Sequence, residues 1–219
     1  MAEQTPWRYP ESRLLVFAKA PQAGRVKTRL AASIGANEAT HVYTLWLEAL
    51  VDRLAAATLA PLELWVSPDA RHPLFRRLAE NSGVELHLQP DGDLGQRMYQ
   101  VMRQTLAGHK QAVLIGSDCP VMSVDYVERA LRALDQGIDT VIGPAEDGGY
   151  VLLGQNQVVP AMFTEIPWST DRVMRTTRRR LIAARRYWAE LETLWDIDSL
   201  DNYRRWQNFN QTDQEVNSQ

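Results

Sequence analysis

At 219 residues, 45% hydrophobic and 23% charged, the chain has enough material for one α/β domain with a full core and is short for two. A formal net charge of −3 argues against a nucleic-acid partner. The single cysteine, Cys119, excludes an intramolecular disulfide and a cysteine-based zinc site; no apolar run is long enough for a membrane span, and the N-terminus is polar, so a soluble cytoplasmic protein is expected.

Residues 1–12 read as a loose tail and 210–219 as a polar, frayed end. With no repeat and no low-complexity linker, one domain over 1–219 is expected, its core at about 13–209. The first strand is 14–18 (LLVFA), followed by a loop punctuated by Pro and Gly. A helix over about 37–57 follows, with Val42, Trp46, Ala49, Leu50 and Leu54 on one face. Residues 62–66 read as a strand, 73–81 as a short helix, and 84–88 as a strand with one solvated face, since Val84, Leu86 and Leu88 alternate. A helix over 95–107 precedes the apolar run 112–115 (AVLI), the pattern of a strand buried on both sides. Ser123 is placed to cap a helix running to 134. Strands at 140–143 and 150–154 flank the loop 144–149, and helices at about 171–187 and 200–209 close the chain. Strands alternating with helices predict a three-layer α/β/α fold on a mostly parallel sheet. In such sheets ligands sit at the carboxyl ends of the strands, which singles out four loops.

The loop after the first strand, 19–29, carries four cations, Lys19, Arg25, Lys27 and Arg29, with Gly24 among them. Cations and free backbone N–H groups suit phosphate oxygens. The spacing is neither that of a Walker A loop nor G-x-G-x-x-G. The second loop holds Asp118 directly after AVLI, where one carboxylate can hold Mg²⁺ or Mn²⁺. The third, AEDGGY, places Asp147 before two glycines and Tyr150, a turn signal that also faces the ligand side. The fourth, WDIDSLD, puts Asp196 and Asp198 on one side of an extended segment. Two same-side carboxylates are costly without a cation, although Asp198 or Ser199 is also suited to cap the last helix.

The segments FAKAPQAGRVKTRLA, DLGQRM, IGSDCP, GPAEDGGYVLLG, PWST and WDIDSLDNY, in this order, resemble the DUF2064 family. These are provisionally assigned glycosyltransferases, also called selenodomain-associated or arsenosugar-type, in the nucleotide-diphospho-sugar transferase superfamily. The similarity runs from about Arg13 to Tyr203 and implies a GT-A-like fold. It implies that Lys19, Gly24, Arg25, Lys27 and Arg29 bind the nucleotide and its phosphates. It further implies that Asp118 is a metal ligand and catalytic residue, and that Asp198 is the second metal ligand. Asp147 then faces the acceptor or sugar. Residues 116–120 contain one aspartate rather than a D-x-D triplet, which gives Asp198 more weight.

A metal-dependent glycosyltransferase with a nucleotide-sugar donor and a small-molecule acceptor is therefore expected, with Asp147 as base or sugar-orienting carboxylate and Trp168 and Tyr150 against the substrate. A nucleotidyltransferase releasing pyrophosphate is the alternative, since Lys27-Thr-Arg29-Leu is similar to the K-S-R-L segment of phospholactate guanylyltransferases; a catalytically inactive nucleotide-binding module is the third. Asp118 and Asp198 are expected within about 8 Å of each other, one of them with a raised pKa. The four histidines show no metal-ligand spacing, Cys119 reads as packing, and the six arginines of 175–186 as a solvated helix face.

Overall fold

A computed structural model of the chain describes residues 6–216, with side chains through residue 209. Among the described residues one sheet is formed by β1 (Ser12–Lys19), β2 (Leu62–Ser67), β3 (Glu85–Leu88), β4 (Gln111–Gly116), β5 (Thr140–Pro144), β6 (Tyr150–Gln155) and β7 (Trp188–Glu190). Their spatial order is β3-β2-β1-β4-β6-β5-β7. β1 pairs in parallel with β2 and β4, β2 with β3, and β5 with β7; β6 is antiparallel to β4 and β5.

The helices are α1 (Thr28–Ile34), α2 (Ala36–Ala56), α3 (Pro73–Ser82), α4 (Leu94–Leu106), α5 (Val124–Asp135), α6 (Val173–Ala183) and α7 (Leu200–Val216). Period-two alternation divides β1 between two cores. Leu14, Val16 and Ala18 meet Leu50 of α2, Phe75 of α3 and Leu131 of α5, whereas Leu15 and Phe17 meet Met98 and Met102 of α4 and Leu181 of α6. Both faces of the sheet are thus covered, giving the three-layer α/β/α, mostly parallel arrangement. A third cluster joins Leu30, Trp46, Trp195 and Ile197, with Tyr203 and Trp206 of α7 packed against it.

Local chemistry sets the helix starts. Asp93 and Gln96 form a capping box on α4, and Ser123 Oγ accepts from Tyr126 N at 3.1 Å to start α5. Ser199, not Asp198, caps α7, accepting from Asn202 N at 3.2 Å. Asp198 is left free for the crevice described below.

Four expectations need correction. The helix expected to reach residue 187 stops at Ala183, and the chain turns into the edge strand β7. The stretch before β1 is not a loose tail over its described part, because Arg8 N and Tyr9 N donate to Thr58 O and Leu59 O and Tyr9 packs on the core. Leu88 lies 54% exposed: β3 is an edge strand, and its inward face runs off the core. The last helix continues beyond 209 to Val216. Residues 1–5 and 217–219 of the two expected tails lie outside the described residues.

Candidate active site

The chain leaves β1 toward β2 and β3, then returns to place β4 on the other flank of β1. That reversal makes the carboxyl ends of β1 and β4 a topological switch point, where open α/β sheets bind ligands. A cavity of about 700 Å³ lies there. Lys19, Arg25, Lys27, Arg29, Asp118, Asp147, Tyr150, Trp168, Asp196 and Asp198 all line it. Gly24 does not; it takes φ +75° at the outside of the loop, a conformation glycine adopts without strain.

Buried side chains and backbone bonds hold the four loops together. Tyr43 of α2 accepts from Lys19 N at 2.9 Å, and its hydroxyl lies 3.1 Å from Ser117 Oγ, so one phenol ties the β1 loop to the β4 loop. Ile197 N donates to Asp118 O at 3.2 Å and Glu146 N to Leu194 O at 2.9 Å, which lays the 194–198 segment across both neighbouring loops. Trp195 and Ile197 point into the core, so alternation turns Asp196 and Asp198 to the crevice. Gly148, at φ +86°, sits against the backbone of Asp171, and Met174 N donates to its carbonyl, so the turn carrying Asp147 is braced by the start of α6. Asp147 Oδ1 accepts from Gly149 N at 2.8 Å, closing that turn.

Lys27 is the centre of the charge arrangement. Its side chain is only 2% exposed, and its ammonium lies 2.8 Å from Asp198 Oδ1 and 3.2 Å from Asp118 Oδ2. Those two legs cap the separation of the two carboxylate oxygens at about 6 Å. Asp118 and Asp198 remain 50% and 40% exposed and open to the crevice. Burial works against the charge on Lys27, but the carboxylates of Asp118 and Asp198 outweigh it and raise its pKa. Lys19, Arg25 and Arg29 are exposed, and Arg29 reaches Asp198 only at 3.9 Å. The four cations of the loop are thus of two kinds, one locked among carboxylates and three exposed where they line the crevice.

The crevice acid whose pKa is raised is Asp196. Burial, then the neighbouring charges of Asp147 and Asp198, push it up to about 6. Tyr43, Ser117 and Asp196 are site residues that sequence reasoning left out of its set, although the alternation of the 195–198 segment already placed Asp196 beside Asp198. The thiol of Cys119 is buried and pushed up to about 12, chiefly by burial, and Sγ lies 3.5 Å from Trp195 O, so it packs the loop rather than reacting.

Four aspartates, Asp118, Asp147, Asp196 and Asp198, line the crevice beside its cations, and carboxylate oxygens are ligands that suit a hard divalent cation. Among the described residues, three ligand atoms within 4.8 Å of one another occur in a different place: Glu63, Glu85 and His87. Strand pairing, invisible in sequence spacing, puts His87 there; Glu63 lies opposite Glu85 near the amino ends of β2 and β3, away from the crevice.

Comparison with known proteins follows the same lines. The family model described as "Uncharacterized protein conserved in bacteria (DUF2064)" matches residues 50–170. A crystal structure from Desulfovibrio desulfuricans G20, of a protein provisionally named nucleotide-diphospho-sugar transferase, superposes with a TM-score of 0.79 at 33% identity over 87% of this chain and 83% of that one. The 4-diphosphocytidyl-2C-methyl-D-erythritol synthase of Anaerococcus prevotii DSM 20548 gives 0.60 at 9% identity, over 92% and 99% of the two chains. A CMP:2-keto-3-deoxy-manno-octonic acid synthetase complexed with CTP gives 0.55 at 13%, again over 92% and 99%. The last two speak for the fold alone. No curated protein matches the sequence.

Proposed function

The chain belongs to the DUF2064 family with a GT-A-like fold, and from that premise we propose that it is a transferase acting on a nucleotide sugar, passing the sugar to a small-molecule acceptor in the cytoplasm. One observation carries this reading: at the switch point of the sheet, Lys27 is buried between Asp118 and Asp198, while Lys19, Arg25 and Arg29 stand exposed beside them. An anion-binding rim next to an acidic pocket fits a diphosphate approached through a metal.

In this reading Lys19, Arg25 and Arg29 hold the phosphates of the donor. Asp118 and Asp198 hold Mg²⁺ or Mn²⁺, with Asp196 close by. The cation, when bound, stabilises the charge that grows on the leaving diphosphate. Lys27 keeps the two ligands apart and oriented. Asp147, held by the Gly149 amide, serves as base or orients the sugar, and Tyr150 and Trp168 form an aromatic wall for the substrate, with ring centroids 6.1 Å apart and planes at 84°. The whole of 1–219 acts as one domain.

The test is a thermal-shift and calorimetric screen of nucleotides and nucleotide sugars with and without Mn²⁺, because a ligand that binds only the native state raises apparent stability. Metal-dependent binding of a nucleotide sugar, followed by release of the nucleoside diphosphate, supports the proposal. Pyrophosphate release from a triphosphate would replace it with nucleotidyl transfer, and binding without turnover would leave an inactive nucleotide-binding module.

A further inference from the structure

A second group of ligating side chains lies outside the crevice, on two matching triplets. β2 carries Glu63-Leu64-Trp65, and β3 carries Glu85-Leu86-His87. The strands are parallel, with Glu63 opposite Glu85 and Trp65 opposite His87. Period two sends both leucines to one face, where they join the core around Leu14, Val16 and Leu50. The two glutamates, the indole and the imidazole share the other face. None of these four residues lines the crevice.

His87 Nε2 lies 3.3 Å from Glu85 Oε2 and 3.9 Å from Glu63 Oε2, and one ligand atom from each residue falls within 4.8 Å of the others. Zn²⁺ takes nitrogen and oxygen ligands at about 2.0–2.2 Å, which sets neighbouring corners of its tetrahedron about 3.3–3.5 Å apart. The observed spacing is close to that, and Glu85, which is exposed, can turn to complete it. Trp65 holds the other two donors. Its ring stacks on His87 with centroids 4.6 Å apart and planes at 19°, and its Nε1 donates to Glu63 Oε2 at 2.8 Å. One buried indole thus orients both an imidazole and a carboxylate, as the outer partners of metal ligands do. Arg13 Nε stands 3.7 Å from the other oxygen of Glu63, and among the described residues no Lys or Arg lies within ion-pair distance of Glu85. Two carboxylates beside one guanidinium leave a negative charge unmatched, which a dication would offset.

We propose that Glu63, Glu85 and His87 form a zinc site, completed by water, that clips the edge strand β3 to β2. An imidazole with two carboxylates selects a borderline transition-metal dication over Mg²⁺, which favours oxygen donors alone. β3 has four residues and a single strand neighbour, so a ligand bridge to β2 acts where the sheet is held least. The site shares no residue with the crevice and stands apart from the transferase reading.

The experiment titrates ZnCl₂ into the full chain by calorimetry, with about 5 mM Mg²⁺ present to compete at the crevice aspartates. Wild type, His87→Gln, Glu85→Gln and Asp118→Asn are compared, and melting temperatures are read with and without zinc. Wild type is expected to bind one Zn²⁺ with a Kd of about 10 µM or tighter and to melt higher with it. His87→Gln and Glu85→Gln should each weaken binding about tenfold or more and lose the rise, whereas Asp118→Asn keeps both. Zinc-free melting close to wild type shows that the variants fold. Glu85 is exposed, so Glu85→Gln remains a sound test even if loss of the His87 stacking unsettles β3. No zinc binding up to about 100 µM would reduce His87 to a hydrogen-bond partner of Glu85 and overturn the proposal. Unchanged affinity in either β3 variant would overturn it as well, and loss of binding in Asp118→Asn would put the ion in the crevice instead.

Discussion

Lys27 and Asp198 stand 171 residues apart in the chain and are joined by a 2.8 Å hydrogen bond in the floor of the crevice. The contact closes the chain on itself. It ties the loop after the first strand to the segment before the last helix, and Asp118, at 3.2 Å from the same ammonium, brings in the loop after β4. Lys27 adopts a left-handed backbone conformation, φ 46° and ψ 44°, immediately before α1. An unfavourable conformation for a lysine is offset here by a buried ammonium with two carboxylate partners.

Replacing Lys27 with Met should therefore destabilise the protein by about 1–3 kcal/mol, below the range for a fully buried pair because both carboxylates are partly exposed. Added Mg²⁺ should recover part of that loss, since the two acids then have room for a divalent ion. Urea unfolding of wild type and variant, with and without Mg²⁺, measures both quantities. Equal stability of the two proteins would show that the pair contributes nothing to the fold.

Asp147→Asn should leave nucleotide affinity unchanged and cost about 10²-fold or more in turnover, the range for removal of a general base. The amide retains the oxygen that accepts from Gly149 N, so the turn is preserved and only the charge is lost. Wild-type rates in this variant would reduce Asp147 to a turn residue.

Asp196 carries the pH dependence. Its folded pKa of about 6 lies above the ordinary 3.8, so the folded protein holds this proton more tightly than the unfolded chain does. Its contribution is present in full below about pH 4 and is lost as pH rises through about 6. Asp196→Asn, which cannot ionise, should therefore gain stability relative to wild type across that window. The gain at neutral pH should be on the order of 1 kcal/mol once solvent screening of a partly exposed group is allowed for. Denaturation midpoints of the two proteins at several pH values read it directly; parallel curves from pH 4 to 8 would contradict it.

Gly148→Ala should lose activity and stability together. A Cβ at this residue would meet the Asp171 backbone, with Cα at 2.6 Å, and φ +86° is strained for alanine. A cost of about 1–3 kcal/mol is expected, with Asp147 displaced along with the turn. Gly24→Ala is the control: its φ is also positive, but a Cβ there meets nothing within 4 Å, so it should cost less and leave turnover intact. Similar losses in both variants would show backbone strain alone, with no role for the Asp171 contact.

Much of the layout was legible in residues alone. The apolar run AVLI has the pattern of a strand covered on both faces, and it became β4 with its two cores. Loops that follow such strands must end at the ligand edge of a parallel sheet, so Lys19, Asp118 and Asp147 were traceable to the crevice without coordinates. Alternation sent Trp195 and Ile197 inward and their two acidic neighbours outward. Each of these readings uses a period or a local turn, and both are properties of a short stretch of chain.

Partnership between distant residues is not such a property, and only the folded structure decided it. Four cations in one loop look alike in sequence. Packing against Trp46, whose ring lies 6.0 Å from the Lys27 ammonium, buries one of them, and the three others stay in water. The push on Asp196 toward neutrality comes from its burial and from the charge of Asp147, brought in from another loop. Tyr43 looked like one more helix residue until its hydroxyl met Lys19 and Ser117. The short β7 exists because β5 offers it an edge to pair with, an opportunity the arginine-rich stretch before it does not encode. Periodicity is written into neighbouring residues, whereas burial and electrostatic coupling depend on the three-dimensional distances that folding creates.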